Sequence, residues 1–502
     1  MGQRGRHDPG IAMGMGAVRP HWHAAMTRLW IDVEDLIVYA LANARPSGIQ
    51  RLTFDLYQAL RSLYDASGQV GFVRHDALRG GFATVAWDEV AAMFTSLRAE
   101  AVPAPEPDIP ATGGRPGLLR RALRPAVYRL PEEVRRPVIL AGVAQAEALR
   151  QLGRAAQSGS RLLRRSLARD GTTQLRGLGP RPRQPLAELA RPGDVLLALG
   201  ASWTPEYAGL VAEAKAKLGL RFGVLLYDII PLRRPEWCKG DLVGRFRAWF
   251  HGVLPLADVL LAISRHTAAD VEDYAHRHGV TLRARVRPIP LGTGFVGQAA
   301  EGQAEAGSVR PDLPAPGSYV LFVSTIEARK NHALLVRVWR RLLEELPEGQ
   351  VPTLVFAGRV GWLVGDLLEQ LRNCDNLDGH VRIVADPTDA ELLALYRGCR
   401  FTVFPSLYEG WGLPVTESLA LGRPCVCSNA TSLPEAGGEL VRFFDPESVA
   451  DATRVIRDTL QDRSRLQAWE AQVHGSFRPV PWTETARAVM DAASQASVPV
   501  HA

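Results

Sequence analysis

Lysine is almost missing from this chain. Four lysines, Lys215, Lys217, Lys239 and Lys330, stand among 59 basic residues, and the other 55 are arginine. Cationic sites here are therefore guanidinium sites, and a compact ammonium at any one place asks for a local reason. Cysteine is scarce too. Cys238, Cys374, Cys399, Cys425 and Cys427 show no paired metal-ligand spacing, and the last two flank one valine inside an apolar, strand-like run. They read as reduced thiols in a cytosolic protein. The first 26 residues hold no continuous apolar segment, so neither a secretory signal nor a membrane-spanning helix is expected to begin there. The expectation for 1–26 is a disordered leader, with Met26 an alternative start.

What is present is ordinary in amount and uneven in place. At 502 residues, 46% apolar and 22% charged, the chain is long enough for two or three domains with sizeable cores, and it is neither disordered nor fibrous in composition. The net charge of +6 is local in origin. Between Arg115 and Arg183 there are 16 arginines against Glu132, Glu133, Glu147 and Asp170, a local +12 that leaves −6 for the remainder. Runs such as "LLRRALRPAVYRL" and "RLLRRSLARD", broken by Gly and Pro, suit interrupted amphipathic helices. Two readings of this insertion, about 100–190, stay open: a surface for anionic lipid headgroups or a lipid-linked acceptor, and a solvated insertion without a partner. No aromatic series interleaves the arginines for base stacking, which argues against nucleic acid.

Outside the insertion, strand-like and helical patterns alternate. "RLWIDV", "QVGFVRHD", "DVLLALG", "RFGVLLYDII" and "DVLLAIS" are short apolar runs separated by helical stretches such as "IQRLTFDLYQALRSLYD". After a Gly/Ala/Pro-rich linker at 297–317, a second series follows: "YVLFVS", "TLVFAG", "VRIVA", "RFTVFPS", "PCVCS" and "LVRFF". The pattern predicts an α/β protein of two doubly wound domains, 27–296 and 318–478, with their ligand in the cleft at the carboxyl ends of the strands.

The residues just after the strands carry the chemistry. Arg329 and Lys330 follow "YVLFVS" and precede a helical pattern, so two cations stand where a helix start already favours anions, an arrangement that calls for a negative partner. Lys330 also breaks the chain's arginine habit. After "RFTVFPS" comes "LYEGWGLPVTES", in which Gly410 and Gly412 permit close backbone approach and Pro414 suits the first turn of a helix. Glu409 is expected on the loop and Glu417 on the helix's first turn. Carboxylates suit sugar or ribose hydroxyls and N–H groups suit phosphate oxygens, and a sugar joined to a nucleotide by a diphosphate offers all three parts.

"STIEARKN", "AGRVGW" and "FPSLYEGWGLPVTESLALGRPCVCSNATSLPEAGG" resemble the signature segments of the large retaining glycosyltransferase family 4, especially its bacterial mannosyltransferase-like members. The Glu-x7-Glu pair at Glu409 and Glu417 is that family's hallmark. The resemblance covers most of 319–495, including "VPWTETARAVM", and is patchier before it, in "PSGIQRLTFDLYQAL", "YDIIPLRRPEW", "LAISRHTAADV" and "RPIPLG". It implies two facing Rossmann-like domains (the GT-B fold) and a helix within 479–502 that crosses back to the first domain. It also implies that Arg329 and Lys330 neutralise a diphosphate leaving group, with Gly48 letting its loop's amides approach the same phosphates. Glu417 would hold the ribose, and Glu409 with the amides of Gly410, Trp411, Gly412 and Leu413 would contact the donor sugar. Arg359, Gly361 and Trp362 would lie near the nucleotide. Two positions depart from the family, which commonly has Gly where Ser324 stands and His where Tyr227 precedes Asp228. Tyr227 and Asp228 are the acceptor-side candidates, and a buried core tyrosine is the other reading of Tyr227.

The activity implied is hexosyl transfer with retention, without metal or other cofactor, from a nucleotide sugar to a glycan or lipid-linked saccharide in cell-surface polysaccharide synthesis. The mannosyltransferase-like resemblance favours GDP-mannose. Such an enzyme is expected in the cytoplasm, and peripherally on the inner membrane face if the insertion binds lipid. Three rivals are a sugar-nucleotide epimerase on the same fold, a non-catalytic sugar-nucleotide-binding protein, and a single-domain metal-dependent transferase using the acids of "LWIDVED".

Overall fold

The structure is a computed structural model and describes residues 27–43, 46, 48–76, 80–99, 183–204, 206–294 and 309–495. The expected leader, nearly all of the arginine-rich stretch and most of the expected linker lie outside the described residues.

Each strand series folds into one sheet. The first holds β1 (Leu29–Asp32), β2 (Val70–His75), β3 (Phe82–Thr84), β4 (Val195–Ala198), β5 (Arg221–Leu226), β6 (Val259–Ala262) and β7 (Val286–Pro288), in the order β3-β2-β1-β4-β5-β6-β7. All neighbours are parallel except β2 and β3, an antiparallel edge pair. The second sheet is wholly parallel and holds β8 (Tyr319–Val323), β9 (Thr353–Ala357), β10 (Val381–Val384), β11 (Thr402–Phe404), β12 (Cys425–Ser428) and β13 (Arg442–Phe444), in the order β10-β9-β8-β11-β12-β13. The central strands are buried along their whole length, which is why they read as continuous apolar runs rather than as alternation. These are the two α/β domains the pattern predicts.

Helices fall where local chemistry permits. The Arg265–His278 helix starts on Ser264, whose hydroxyl accepts from the Thr267 amide, and stops at Gly279 with φ 65°. The Asp389–Gly398 helix opens with a capping box between Thr388 and Glu391. The His332–Glu345 helix buries Leu334, Leu335, Val338, Trp339 and Leu342 against the second sheet. The last helix, Trp482–Gln495, packs on the Gly48–Tyr64 helix of the first domain. Its approach is pinned where Thr293 N donates to Val480 O at 2.9 Å and Val480 N donates to Thr293 Oγ1 at 3.0 Å, and where Gly292 lies against the Trp482 ring too closely to carry a β-carbon. Another compact unit comprises Tyr39–Pro46 and Val85–Gln184; its described part includes the Trp87–Ala99 helix.

Strand order reverses between β1 and β4 in one sheet and between β8 and β11 in the other. At the second reversal the loops 324–331 and 405–412 leave the carboxyl ends of adjacent strands, where ligands bind in open α/β sheets.

Candidate active site

Asn331 shapes the first loop. It adopts the left-handed conformation at φ 60°, and its side-chain amide donates to the carbonyls of Pro405 at 3.2 Å and Pro446 at 2.9 Å. An asparagine tolerates that conformation better than most residues. The turn presents Arg329 and Lys330 to the neighbouring loop, where Leu407 N donates to Arg329 O at 3.0 Å. Arg329 Nη1 lies 2.8 Å from Glu409 Oε2 and donates to Tyr408 O at 2.6 Å, while Nη2 reaches Glu327 Oε1 at 2.7 Å. Lys330 Nζ bonds Glu409 Oε1 at 2.5 Å and stands 5.3 Å from the centre of the Phe404 ring.

The negative partner that the two cations call for is therefore supplied, in this structure, by Glu409 and Glu327. Burial alone would push Glu409 up, but Arg329 and Lys330 outweigh it and hold the carboxyl at about 2. Burial would lower Arg329, and the Glu409 and Glu327 carboxylates raise it instead. Lys330 is pushed down by burial and by Arg329, against the pull of Glu409. Close packing of like cations thus loads the ammonium.

The second loop is held from behind. Thr431 Oγ1 accepts from Glu409 N at 2.9 Å and donates to Glu409 O at 3.1 Å; Ser432 Oγ lies 2.9 Å from both Glu409 O and Trp411 O. Gly410 packs on the Tyr227 carbonyl too closely for any side chain. Gly412, with φ 116°, starts the Leu413–Ala420 helix, and a β-carbon there would also stand 2.5 Å from Leu433 Cδ2. Pro414 lies in that helix's first turn. Glu417 falls on the second turn rather than the first, because the helix already begins at Leu413.

Glu417 is buried and differs in character from Glu409. Its Oε2 accepts from Tyr396 Oη at 2.9 Å, and Gly294 of the first domain lies so near that a β-carbon there would sit 2.6 Å from Oε1. Burial pushes its carboxyl up to about 7, with the Tyr396 hydroxyl and Arg51 opposing. One carboxylate is ionised by two cations; the other stands near neutrality.

The remaining candidates divide. Asp228 sits beside the cation pair, accepts from Ile230 N at 3.0 Å and is raised by burial against the opposing charge of Arg329. Tyr227 is buried, and its hydroxyl donates to Leu199 O at 2.7 Å, which is the core-tyrosine reading. Arg359 is exposed, and its backbone with that of Gly361 pairs with Ile326 at 2.8 Å in both directions. Trp362 Nε1 donates to Trp237 O of the first domain at 2.8 Å. Ser324 Oγ lies 3.3 Å from His332 Nε2, and its carbonyl leaves no room for a β-carbon on Gly358. Gly48 is the first residue of its helix; a β-carbon there would meet nothing within 4 Å, so the protein itself does not require glycine.

Several participants gave no signal of their own. Tyr396 reads as one more apolar position in "ELLALYRG", and Glu327 and Asn331 read as loop polarity. Glu435 lies in the motif "SLPEAGG" but acts across domains: its carboxylate accepts from the amides of Arg265 at 2.9 Å and His266 at 2.8 Å, at the start of the Arg265–His278 helix. Tyr408 likewise donates to Asp270 of that helix. These partners are 138 to 170 residues away in sequence.

The acids of "LWIDVED" are each engaged separately. Asp32 Oδ2 lies 3.1 Å from His75 Nε2, Glu34 makes two bonds of 3.1 Å to Arg74, and Asp35 accepts from Ala201 N at 3.1 Å. Among the described residues no group of three or more His, Cys, Asp or Glu side chains is placed to hold a metal ion. No helix among them is long and apolar enough to cross a membrane.

Comparison with known proteins finds a family model that spans these loops. Residues 309–474, which contain Arg329, Lys330, Glu409 and Glu417, match the model for glycosyl transferases group 1. The serotype-specific mannosyltransferase WbdA of Escherichia coli is 29% identical over 273 residues, 53% of this chain and 32% of that protein. O-antigen chain mannosyltransferase B of Escherichia coli is 35% identical over 164 residues, 33% of this chain and 42% of that protein. A D-inositol 3-phosphate glycosyltransferase of Thermobifida fusca is 29% identical over 246 residues, 44% and 55% of the two chains. The chain thus spans between about a third and about half the length of these curated relatives.

Proposed function

We propose that the chain transfers a hexose from a nucleotide sugar to a saccharide or lipid-linked acceptor, with retention and without a metal, a reading supported by the match of residues 309–474 to the glycosyl transferases group 1 model. The donor is GDP-mannose, a choice supported by the mannosyltransferases among its relatives. The observation that carries the reading is the ion cluster of Arg329 and Lys330 on Glu409, at the sheet's strand-order reversal and beside a glycine-lined helix start.

The donor's diphosphate competes with Glu409 for the two cations. As it takes them, the Glu409 carboxylate turns to the sugar hydroxyls, and the amides at the start of the Leu413–Ala420 helix face the donor. Departure of the phosphate builds negative charge that Arg329, Lys330 and the helix start stabilise, a role worth about 3–4 kcal/mol for each preorganised group. The bond from the anomeric carbon to the phosphate oxygen breaks, the sugar becomes oxocarbenium-like, and the acceptor hydroxyl attacks from the face the phosphate leaves, giving its proton to the departing phosphate oxygen, so no protein nucleophile is required. Glu417 accepts from the ribose hydroxyls. Transfer takes place in the cytoplasm, and its product is a precursor of cell-surface polysaccharide.

The test is a thermal-shift screen of nucleotide sugars, followed by transfer from the best donor to saccharide and lipid-linked acceptors. A donor at 100 times its dissociation constant stabilises by about 2.7 kcal/mol. Stabilisation by GDP-mannose and an α-linked product support the reading. Donor isomerisation without acceptor, or binding without turnover, sinks it in favour of an epimerase or a non-catalytic binding protein.

A further inference from the structure

The second sheet carries another charged concavity, at the end opposite Glu409. The chain enters β8, β11 and β12 past Gly317, Arg400 and Arg423, and these amino ends with the Arg463–Ser476 helix enclose a cavity of about 530 Å³. Four arginines line it, Arg397, Arg400, Arg423 and Arg463, against one acid, Glu470. Arg423 Nη1 bonds Glu470 at 2.5 Å, and Arg400 Nε donates to Gly317 O at 2.8 Å. Arg397 and Arg463 pair with no acid among the described residues, and the buried Arg423 Nε has no hydrogen-bond partner there.

Solvated helix-end arginines account for part of this. Arg397 occupies the last turn of its helix, where a cation complements the dipole. Arg463 is the first residue of its helix, where the dipole is already positive, and Arg400 and Arg423 belong to loops. Burial and the neighbouring Arg463 both push the Arg400 guanidinium down from its ordinary value, the mark of a cation short of anions. Like charges have been gathered rather than dispersed, in a chain that is net negative outside its arginine-rich stretch.

We propose that this cavity is a second ligand site, binding a phosphate-bearing anion independently of the site around Glu409. Planar guanidinium forks match phosphate oxygens two at a time, and a half-enclosed setting screens them less than open surface does. The phosphate belongs either to a soluble phosphorylated molecule or to a lipid headgroup.

Two arms separate these sources. In the first, inorganic pyrophosphate is titrated calorimetrically into the full chain, its Lys330→Gln variant and the double variant Arg397→Gln/Arg463→Gln. In the second, the same proteins are floated with phosphatidylcholine vesicles with and without phosphatidic acid. Both substituted arginines are exposed, so the fold is kept, and Arg463→Gln alone guards against an effect of the pair on folding. A component of pyrophosphate binding that Lys330→Gln retains and the double variant weakens roughly tenfold supports a soluble ligand. Loss confined to phosphatidic acid vesicles supports a headgroup. A double variant that matches the parent protein in both arms overturns the proposal.

Discussion

Replacing Glu417 by glutamine should stabilise the protein in mild alkali. The folded carboxyl stands at about 7 against an ordinary 4.5, because burial penalises its charged form. A folded pKa above the unfolded one means that the folded state is favoured while the proton stays on. The contribution is fully present below about 4.5 and is lost as pH rises through about 7. The gap between 4.5 and about 7, at about 1.4 kcal/mol per tenfold in proton affinity, amounts to roughly 3 kcal/mol. That is large against a total stability of about 5–15 kcal/mol. Glutamine nearly preserves volume and still offers an oxygen to the Tyr396 hydroxyl, so it keeps the packing and sheds the titration. Urea denaturation of both proteins at pH 5 and pH 8 isolates the effect, since every other titrating group, including the half-buried Asp35 at about 7, is common to the pair. The glutamine variant should lie near the parent at pH 5 and exceed it by about 2–3 kcal/mol at pH 8. An equal difference at both pH values, or a variant weaker at pH 8, would refute the burial argument. If Glu417 grips the ribose, the same variant raises donor KM while kcat changes less, so stability and binding move in opposite directions.

Glu409→Gln should lower kcat more than it changes donor binding. It also leaves Arg329 and Lys330 facing one another with half their counter-charge, so the melting temperature should fall by the equivalent of about 3 kcal/mol and recover with pyrophosphate; a melt unmoved in both conditions refutes the ion-cluster account. Tyr396→Phe removes the hydrogen bond to Glu417 and should raise donor KM about tenfold with kcat near the parent value, which steady-state kinetics reads directly. Turnover should survive excess EDTA; loss restored by Mn²⁺ or Mg²⁺ would favour the acids of "LWIDVED". Neutralising Arg120, Arg121, Arg164 and Arg165 should weaken salt-sensitive binding to anionic vesicles at unchanged donor affinity, and a parent protein that ignores such vesicles at low salt marks that segment as solvated.

Legibility followed burial. The apolar runs from "YVLFVS" to "LVRFF" became β8 to β13; the inner four are nearly free of polar residues because strands buried on both faces leave little room for them, while the edge strands β10 and β13 each admit an arginine. β3 and β7 escaped notice: each has three residues, both are edge strands, and β7 reads Val-Arg-Pro, a poor strand by propensity. Arg329, Lys330 and Glu409 were legible as charges after strands, but not as one ion cluster. Their segments lie 79 residues apart, and only the adjacency of β8 and β11 joins them. Tyr227 offered a hydroxyl whose direction no sequence pattern reveals, and the fold turned it to Leu199. Glu435 and Tyr396 stayed silent because their partners sit on other elements.

The Glu435 carboxylate, held on two amides of a helix from the other domain, makes the two halves of the protein mechanically interdependent. Parting the two domains at this point breaks both bonds and returns the carboxylate and the helix-start amides to water. On the proposed function, a residue outside the ion cluster of Arg329, Lys330 and Glu409 therefore sets part of the cost of parting the two domains.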